Sequence, residues 1–164
     1  MKTNEEVYRD GLRLVRDAAG PETFILGCNI AQTMRTMGGS IGLVDSMRSG
    51  PDIKANWGAV VRCANPAGRF YFWNGRVWWN DPDCLMLREP LTLDMGRAWG
   101  SFIALSGQLH LVSEWLPGLP ADRLDVLKRT IPNRAHAARP VDLFEREMPR
   151  EWHMNWGDGE DRHD

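Results

Sequence analysis

The sequence predicts an α/β fold of parallel β/α units amounting to half of a TIM (β/α)8 barrel. Three observations point there. Short continuous apolar runs such as Thr23–Cys28 and Ile41–Met47 read as strands covered on both faces, the pattern of a parallel sheet. These runs alternate with segments of helical period, and such alternation implies parallel β/α units. The chain has 164 residues, whereas a complete barrel takes about 250 and never fewer than roughly 200.

Thr3 followed by Glu6 makes a capping box, and Val7, Gly11, Leu14, Val15 and Ala18 then share one helical face until Gly20 and Pro21 stop the helix. The strand-like run 23–28 follows. Residues 29–40 are polar, Met-rich and Gly-ended, the composition of a loop with room for a short helix, and 41–47 is the second strand. The aromatic run 70–79 has two readings. Asn74-Gly75 flanked by aromatics is a hairpin signal. Alternatively, residues 56–73 form a Pro-interrupted helical region closed by Asn74 and Gly75, which leaves a strand at 76–79. The second is favoured, because it keeps the β/α alternation. Residues 92–106 read as a helix through Leu93, Met95, Trp99, Phe102 and Ile103, ended by Gly107. A strand at 109–113 and a helix at 120–131 complete the units. Residues 1–138 therefore form the half barrel. Residues 139–156 are an aromatic, acidic connecting region without clear period, and 157–164 are a charged run expected to be disordered.

Composition narrows the function. A net charge of −2 provides no broad basic field, so nucleic-acid partners are not expected. No run approaches the roughly 18 apolar residues of a membrane helix, and the polar N-terminus carries no signal-peptide core; the chain reads as soluble, and a longer protein containing it could be secreted or periplasmic. Cys28, Cys63 and Cys84 lie far apart with no C-x-x-C pair, and the four His lack ligand spacing, so neither disulfides, a metal nor another cofactor is indicated. Eight Trp suit flat, half-apolar ligands such as sugars, and a Trp-rich core accounts for them equally well.

Two loops concentrate chemistry. Arg48-Ser-Gly-Pro-Asp52-Ile53 leaves the end of a buried strand, where barrel enzymes place catalysis, with an Arg and a carboxyl group four residues apart. Apolar Met47, Pro51, Ile53 and Trp57 around Asp52 would raise its pKa toward that of a general acid. On spacing alone, a surface turn with an Arg–Asp salt bridge accounts for these residues better. Trp78-Trp79-Asn80-Asp81-Pro82-Asp83 follows the next strand. Two carboxylates in one cavity are costly, so one of Asp81 and Asp83 is expected to line the site while the other bonds backbone N–H groups. One of Trp78 and Trp79 should be core by strand alternation, leaving the other to stack on a sugar.

R-x-x-x-D-I after one strand and W-N-D-P-D-x-L after the next resemble the paired signatures of the α-galactosidase and melibiase clan of (β/α)8-barrel glycoside hydrolases. Gly42–Asp45, Ala104–Leu109, Ser113–Pro117, Arg123–Arg129 and Arg139–Phe144 are similar to bacterial members, so the likeness spans roughly residues 5 to 155. The resemblance implies that the strands are the fifth to eighth of the barrel, its C-terminal half, and that residues 139 onward begin a truncated C-terminal β-sandwich. It implies retaining hydrolysis of terminal α-galactosides or related sugars, with Asp52 as general acid/base and Arg48 contacting the sugar. Cys28, Asn29, Trp79 and Asp83 would form the pocket wall. The clan's nucleophile follows the fourth strand and has no counterpart here, so the isolated chain is expected to be inactive. The implied partners are a carbohydrate substrate and either the missing barrel half or a second copy. A non-catalytic carbohydrate-binding or interaction module is the alternative.

Overall fold

A computed structural model describes residues 1–28, 34–132, 137–146 and 149–154. Among them lie five α-helices, two small parallel sheets and one antiparallel sheet, with no closed barrel. No described helix is long and apolar enough to cross a membrane.

Helix α1 (Asn4–Ala19) begins at the predicted capping box, with Thr3 Oγ1 accepting from the Glu6 N–H and the Glu6 carboxylate accepting from the Thr3 N–H. It docks on helix α2 (Met34–Ser40) and the loop beyond through polar groups. Tyr8 shares a hydrogen bond with Ser40, and Arg9 donates to the carbonyls of Gly39 and Ile41. Arg16 donates to the carbonyls of Leu43 and Thr23 and to Asp45. The apolar stripe is left outside. Val7, Leu14 and Val15 are 59%, 71% and 53% exposed, and no residue of α1 is buried. An amphipathic stripe normally reports a face against a core, but this one has no cover among the described residues.

Strands β1 (Leu26–Gly27), β2 (Ser46–Arg48) and β3 (Trp79–Asp81) are parallel neighbours in chain order, with Met47 opposite Gly27 and Asn80, and Arg48 opposite Asp81. The chain bends at Pro82 and Asp83 and continues as β4 (Cys84–Leu85), which pairs in parallel with β5 (Leu111–Val112). Leu109 donates its N–H to the Asn80 carbonyl and Ser113 to that of Leu85, so residues 109–113 run beside the whole 80–85 segment. Four parallel staves thus stand side by side in chain order. Their ladders are shorter than the predicted runs for identifiable reasons. β1 and β5 each pair on one side only among the described residues, and Pro82 removes a donor from the third stave. The predicted strand at 76–79 starts only at Trp79, because Arg76 and Val77 donate back to the Trp73 carbonyl.

Helix α3 (Trp57–Arg69), capped by Asn56 and carrying Pro66, and the 3₁₀ turn Tyr71–Trp73 occupy the predicted helical region, so the hairpin reading does not hold. Helix α4 (Leu93–Ser106) is capped by the Thr92 hydroxyl and ends at Gly107, whose φ of 61° is left-handed. Helix α5 (Ala121–Arg129) follows β5 and packs on α4. The main core lies among α3, α4, α5 and β4, where Val60, Cys63, Ala67, Leu85, Trp99, Ile103 and Leu127 are buried. A smaller cluster of Val44, Met47 and Trp78 sits under β2 and β3.

Beyond α5, β6 (Arg139–Pro140) and β7 (Trp152–His153) form an antiparallel pair. Asp142 fastens its connection by accepting from the N–H groups of Arg150 and Glu151 and pairing with Arg146. Burial raises the Asp142 carboxyl, but these donors more than offset it and leave its pKa below the ordinary value. The charged run 157–164 lies outside the described residues.

Candidate functional site

The two motif loops meet at the C-terminal ends of β2 and β3. Register explains the meeting, because Arg48 and Asp81 are opposite one another as the last residues of adjacent parallel strands. Arg48 donates Nε to Asp81 Oδ2 at 3.0 Å, and Nη1 to Asp83 Oδ2 at 2.9 Å and to Asp52 Oδ1 at 3.1 Å. The loops are also joined through backbone. Ser49 donates its N–H and hydroxyl to the Asp81 carbonyl, and Asp83 Oδ2 accepts the Ile53 N–H at 2.8 Å. Ile53 adjoins Asp52, so the carboxylate that holds Arg48 also fixes the backbone beside the candidate acid.

Asp83 adopts φ 75°, a left-handed conformation that Asp tolerates better than most residues. The turn brings its N–H to Asp81 Oδ1 and its own Oδ1 to the Cys84 N–H. Each buried carboxylate therefore takes the guanidinium on one oxygen and a backbone donor on the other. The expected division of labour, with one Asp lining the site and the other capping, is corrected: both point at Arg48, whose separate donors allow them to share one place. Burial alone would lower the Arg48 pKa, but the hydrogen bond and charge of Asp81, then the charges of Asp83 and Cys28, leave it raised.

Asp52 is the exception. Its side chain is 77% exposed, against 13% for Arg48, 9% for Asp83 and none for Asp81. The apolar enclosure expected around it is absent, because Met47 and Ile53 are buried in the interior while Pro51 and Trp57 are exposed. Asp52 thus offers an accessible carboxyl group whose second oxygen is not engaged by Arg48.

The other predicted wall residues divide. Cys28, just beyond β1, is exposed and lies near Arg48. Asn29 lies outside the described residues. Trp78 is core, as alternation requires, and donates its indole N–H to the buried Asn80. Trp79 is half-exposed, but the sugar-stacking place expected of it is corrected. It stands at the start of β3 and lines a cavity of ≈620 Å³ with Phe24, Gly42, Asp45 and Gly75, towards the opposite ends of the strands. There Asp45 accepts from Arg16 and the Ile25 N–H; burial raises its pKa, and these bonds bring it below the ordinary value.

Sequence reasoning passed over Trp115. It lies just beyond β5, at the same end as Arg48 and Asp52, and is 77% exposed. Its indole rests on the 3₁₀ turn Leu116–Gly118 so closely that a Cβ on Gly118 would stand 2.8 Å from Cδ1. Adjacent Glu114 buries its carboxylate, accepts from the N–H groups of Leu87 and Arg88, and pairs with the Arg88 guanidinium. The available signal was Ser113-Glu-Trp placed directly after a strand.

Burial pushes the Cys63 thiol up to about 12 and the Cys84 thiol, with help from Asp83, up to about 11. Both stay protonated near neutrality, which suits neither nucleophiles nor metal ligands. No group of three or more His, Cys, Asp or Glu among the described residues is placed to hold a metal ion. A scan against known protein-family models finds no match to this sequence.

Proposed function

We propose that the chain is the C-terminal half, strands five to eight, of a (β/α)8-barrel glycosidase of the α-galactosidase type, with Asp52 as its general acid/base. The convergence of Arg48, Asp52, Asp81 and Asp83 at the C-terminal ends of adjacent parallel strands carries this reading, since that is the end barrel enzymes use. In the retaining mechanism Asp52 gives its proton to the glycosidic oxygen as the bond to the anomeric carbon breaks. It then takes a proton from the water that releases the glycosyl intermediate. Arg48, held by two buried carboxylates, keeps Asp52 within reach and presents remaining guanidinium N–H groups to sugar hydroxyls. Trp115 offers an open aromatic face for a pyranose ring at the same rim.

On this reading the nucleophile belongs to the other half of the barrel. Asp81 and Asp83 are tied to Arg48 and to backbone N–H groups, so neither is free to attack an anomeric carbon. That commitment also favours a second reading, a carbohydrate-binding module without catalysis. Galactose titration calorimetry and p-nitrophenyl α-galactoside turnover with azide supplied as the external nucleophile, each on the chain and on Asp52→Asn, separate the two. Turnover lost in Asp52→Asn supports the glycosidase. Galactose binding without turnover, unchanged by Asp52→Asn, supports the module, and no affinity for any galactoside refutes both.

A further inference from the structure

We propose that Cys63, on helix α3, is a positioning residue for Asp52, acting through its hydrogen bond to the Pro51 carbonyl. The role rests on the reading of Asp52 as general acid/base. Cys63 is fully buried and donates its thiol to the Pro51 oxygen at 3.2 Å. Burial, which pushes that thiol up to about 12, keeps it protonated and therefore a donor near neutrality.

The loop that carries Asp52 lies against α3 at this point. Gly50 comes down on the helix so closely that a Cβ there would stand 3.2 Å from Pro66 Cγ, 3.3 Å from Cys63 Cα and 3.4 Å from the Arg62 carbonyl oxygen. Two of those three atoms are helix backbone, which does not give way, so glycine is what lets the loop lie this close. Pro66 has no N–H to return to the Arg62 carbonyl, so the helix is interrupted in its hydrogen bonding where the loop meets it. The loop is thereby fixed on both sides of Asp52. From the strand side, Asp81 and Asp83 hold Arg48, the Asp81 carbonyl holds Ser49, and Asp83 holds the Ile53 N–H. From the helix side, Cys63 holds Pro51. Asp52 stands between two pinned neighbours, Pro51 and Ile53. Proton transfer needs its carboxyl group within hydrogen-bond reach of the leaving oxygen, and a misplacement of about 1 Å can cost about 100-fold. Cys63, buried in the main core, sets that place without touching substrate.

Leaving-group dependence with azide as nucleophile tests the role. Azide bonds to the anomeric carbon as the bond to the aryl oxygen breaks, the departing oxygen takes its proton from Asp52, and solvent reprotonates Asp52. Phenol depends on that proton, whereas 2,4-dinitrophenol leaves as its anion without it. Cys63→Ala is expected to lower kcat for phenyl α-galactoside about 3- to 10-fold at unchanged KM, the scale of one hydrogen bond, and to leave 2,4-dinitrophenyl α-galactoside within about 2-fold of wild type. Cys63→Ser, which restores a donor, should recover most of the loss. Equal losses on both substrates, no loss on phenyl α-galactoside, or Cys63→Ser no better than Cys63→Ala overturns the proposal. Hydrogen exchange reads the pinning without substrate. The Ile53 amide should quicken in Cys63→Ala at least about 5-fold more than the Ile103 amide of α4, and an equal change at both overturns the proposal whatever the kinetics. Selectively faster Ile53 exchange, combined with phenyl α-galactoside turnover that Asp52→Asn does not lower or with no turnover of either galactoside by wild type, locates the failure in the reading of Asp52 and takes the positioning role with it.

Discussion

Replacing Asp83 by Asn tests whether the buried ion cluster holds the loops together. Asn keeps the volume and also tolerates the left-handed backbone at φ 75°, so the substitution isolates charge. In the native protein Oδ2 accepts from Arg48 Nη1 at 2.9 Å and from the Ile53 N–H at 2.8 Å, while Oδ1 accepts the Cys84 N–H at 2.7 Å. An amide can satisfy one side only, since its NH2 must face a donor on the other. Bonds to charged groups contribute about 1.5–3 kcal/mol each, and removing one partner of a buried ion pair costs about 3–5 kcal/mol. Arg48 keeps Asp81 and Asp52, which sets the expectation near the lower end, about 3 kcal/mol. Asp52→Asn removes a pair whose carboxylate is 77% exposed and should cost less than about 0.5 kcal/mol. Urea unfolding at pH 7 followed by far-UV circular dichroism, with m-values compared, measures both. Asp83→Asn within about 0.5 kcal/mol of wild type, or Asp52→Asn as costly as Asp83→Asn, would refute the argument.

Burial, its larger influence, pushes His110 below the ordinary 6.5, opposed by a backbone hydrogen bond, and its Nε2 lies 2.7 Å from Thr130 Oγ1. The unfolded chain therefore takes the proton first as pH falls. The resulting stability is complete above about pH 6.5 and lost toward the lower folded value, a slope that His110→Gln should flatten in urea midpoints between pH 7 and 5. Gly107→Ala forces a side chain into a left-handed position where its Cβ would lie 2.9 Å from the Ala137 nitrogen. A loss of at least about 2 kcal/mol is expected in urea unfolding, and a loss below that would place the C-cap of α4 elsewhere. Trp115→Ala should weaken galactoside binding about 3- to 10-fold by calorimetry, the scale of one aromatic contact, with Trp115→Phe intermediate; unchanged affinity would remove Trp115 from the site.

Local signals carried the elements well. Thr3 and Glu6, Thr92 and Gly107 mark helix ends because capping is settled within a few residues, and all appear where predicted. The meeting of Arg48 with Asp81 and Asp83 is less local. The order of the motifs indicated one site, but the shared guanidinium depends on strand register, which no spacing encodes. Trp79 shows the cost of reading a motif as a unit. Two residues along a parallel strand advance about 6.6 Å, enough to put the Trp of the motif at one end and its Asp at the other. The α1 stripe was legible as a pattern, but its exposure was not, because a pattern names a face without naming what covers it.

The exposure gradient within the cluster gives its four residues different tasks. Asp81 is fully buried and Asp83 nearly so, and each spends both carboxylate oxygens on fixed donors. A group held from both sides cannot change its bonding without unfolding its surroundings, which suits positioning and not proton transfer. Asp52 has one guanidinium contact on one oxygen and solvent around the rest. Arg48 stays anchored by the other two carboxylates without it. A general acid/base must gain and lose its proton without disturbing the frame that aims it. The same frame leaves no second mobile carboxylate among Asp81 and Asp83, so under the proposed function neither of these two is the attacking carboxylate.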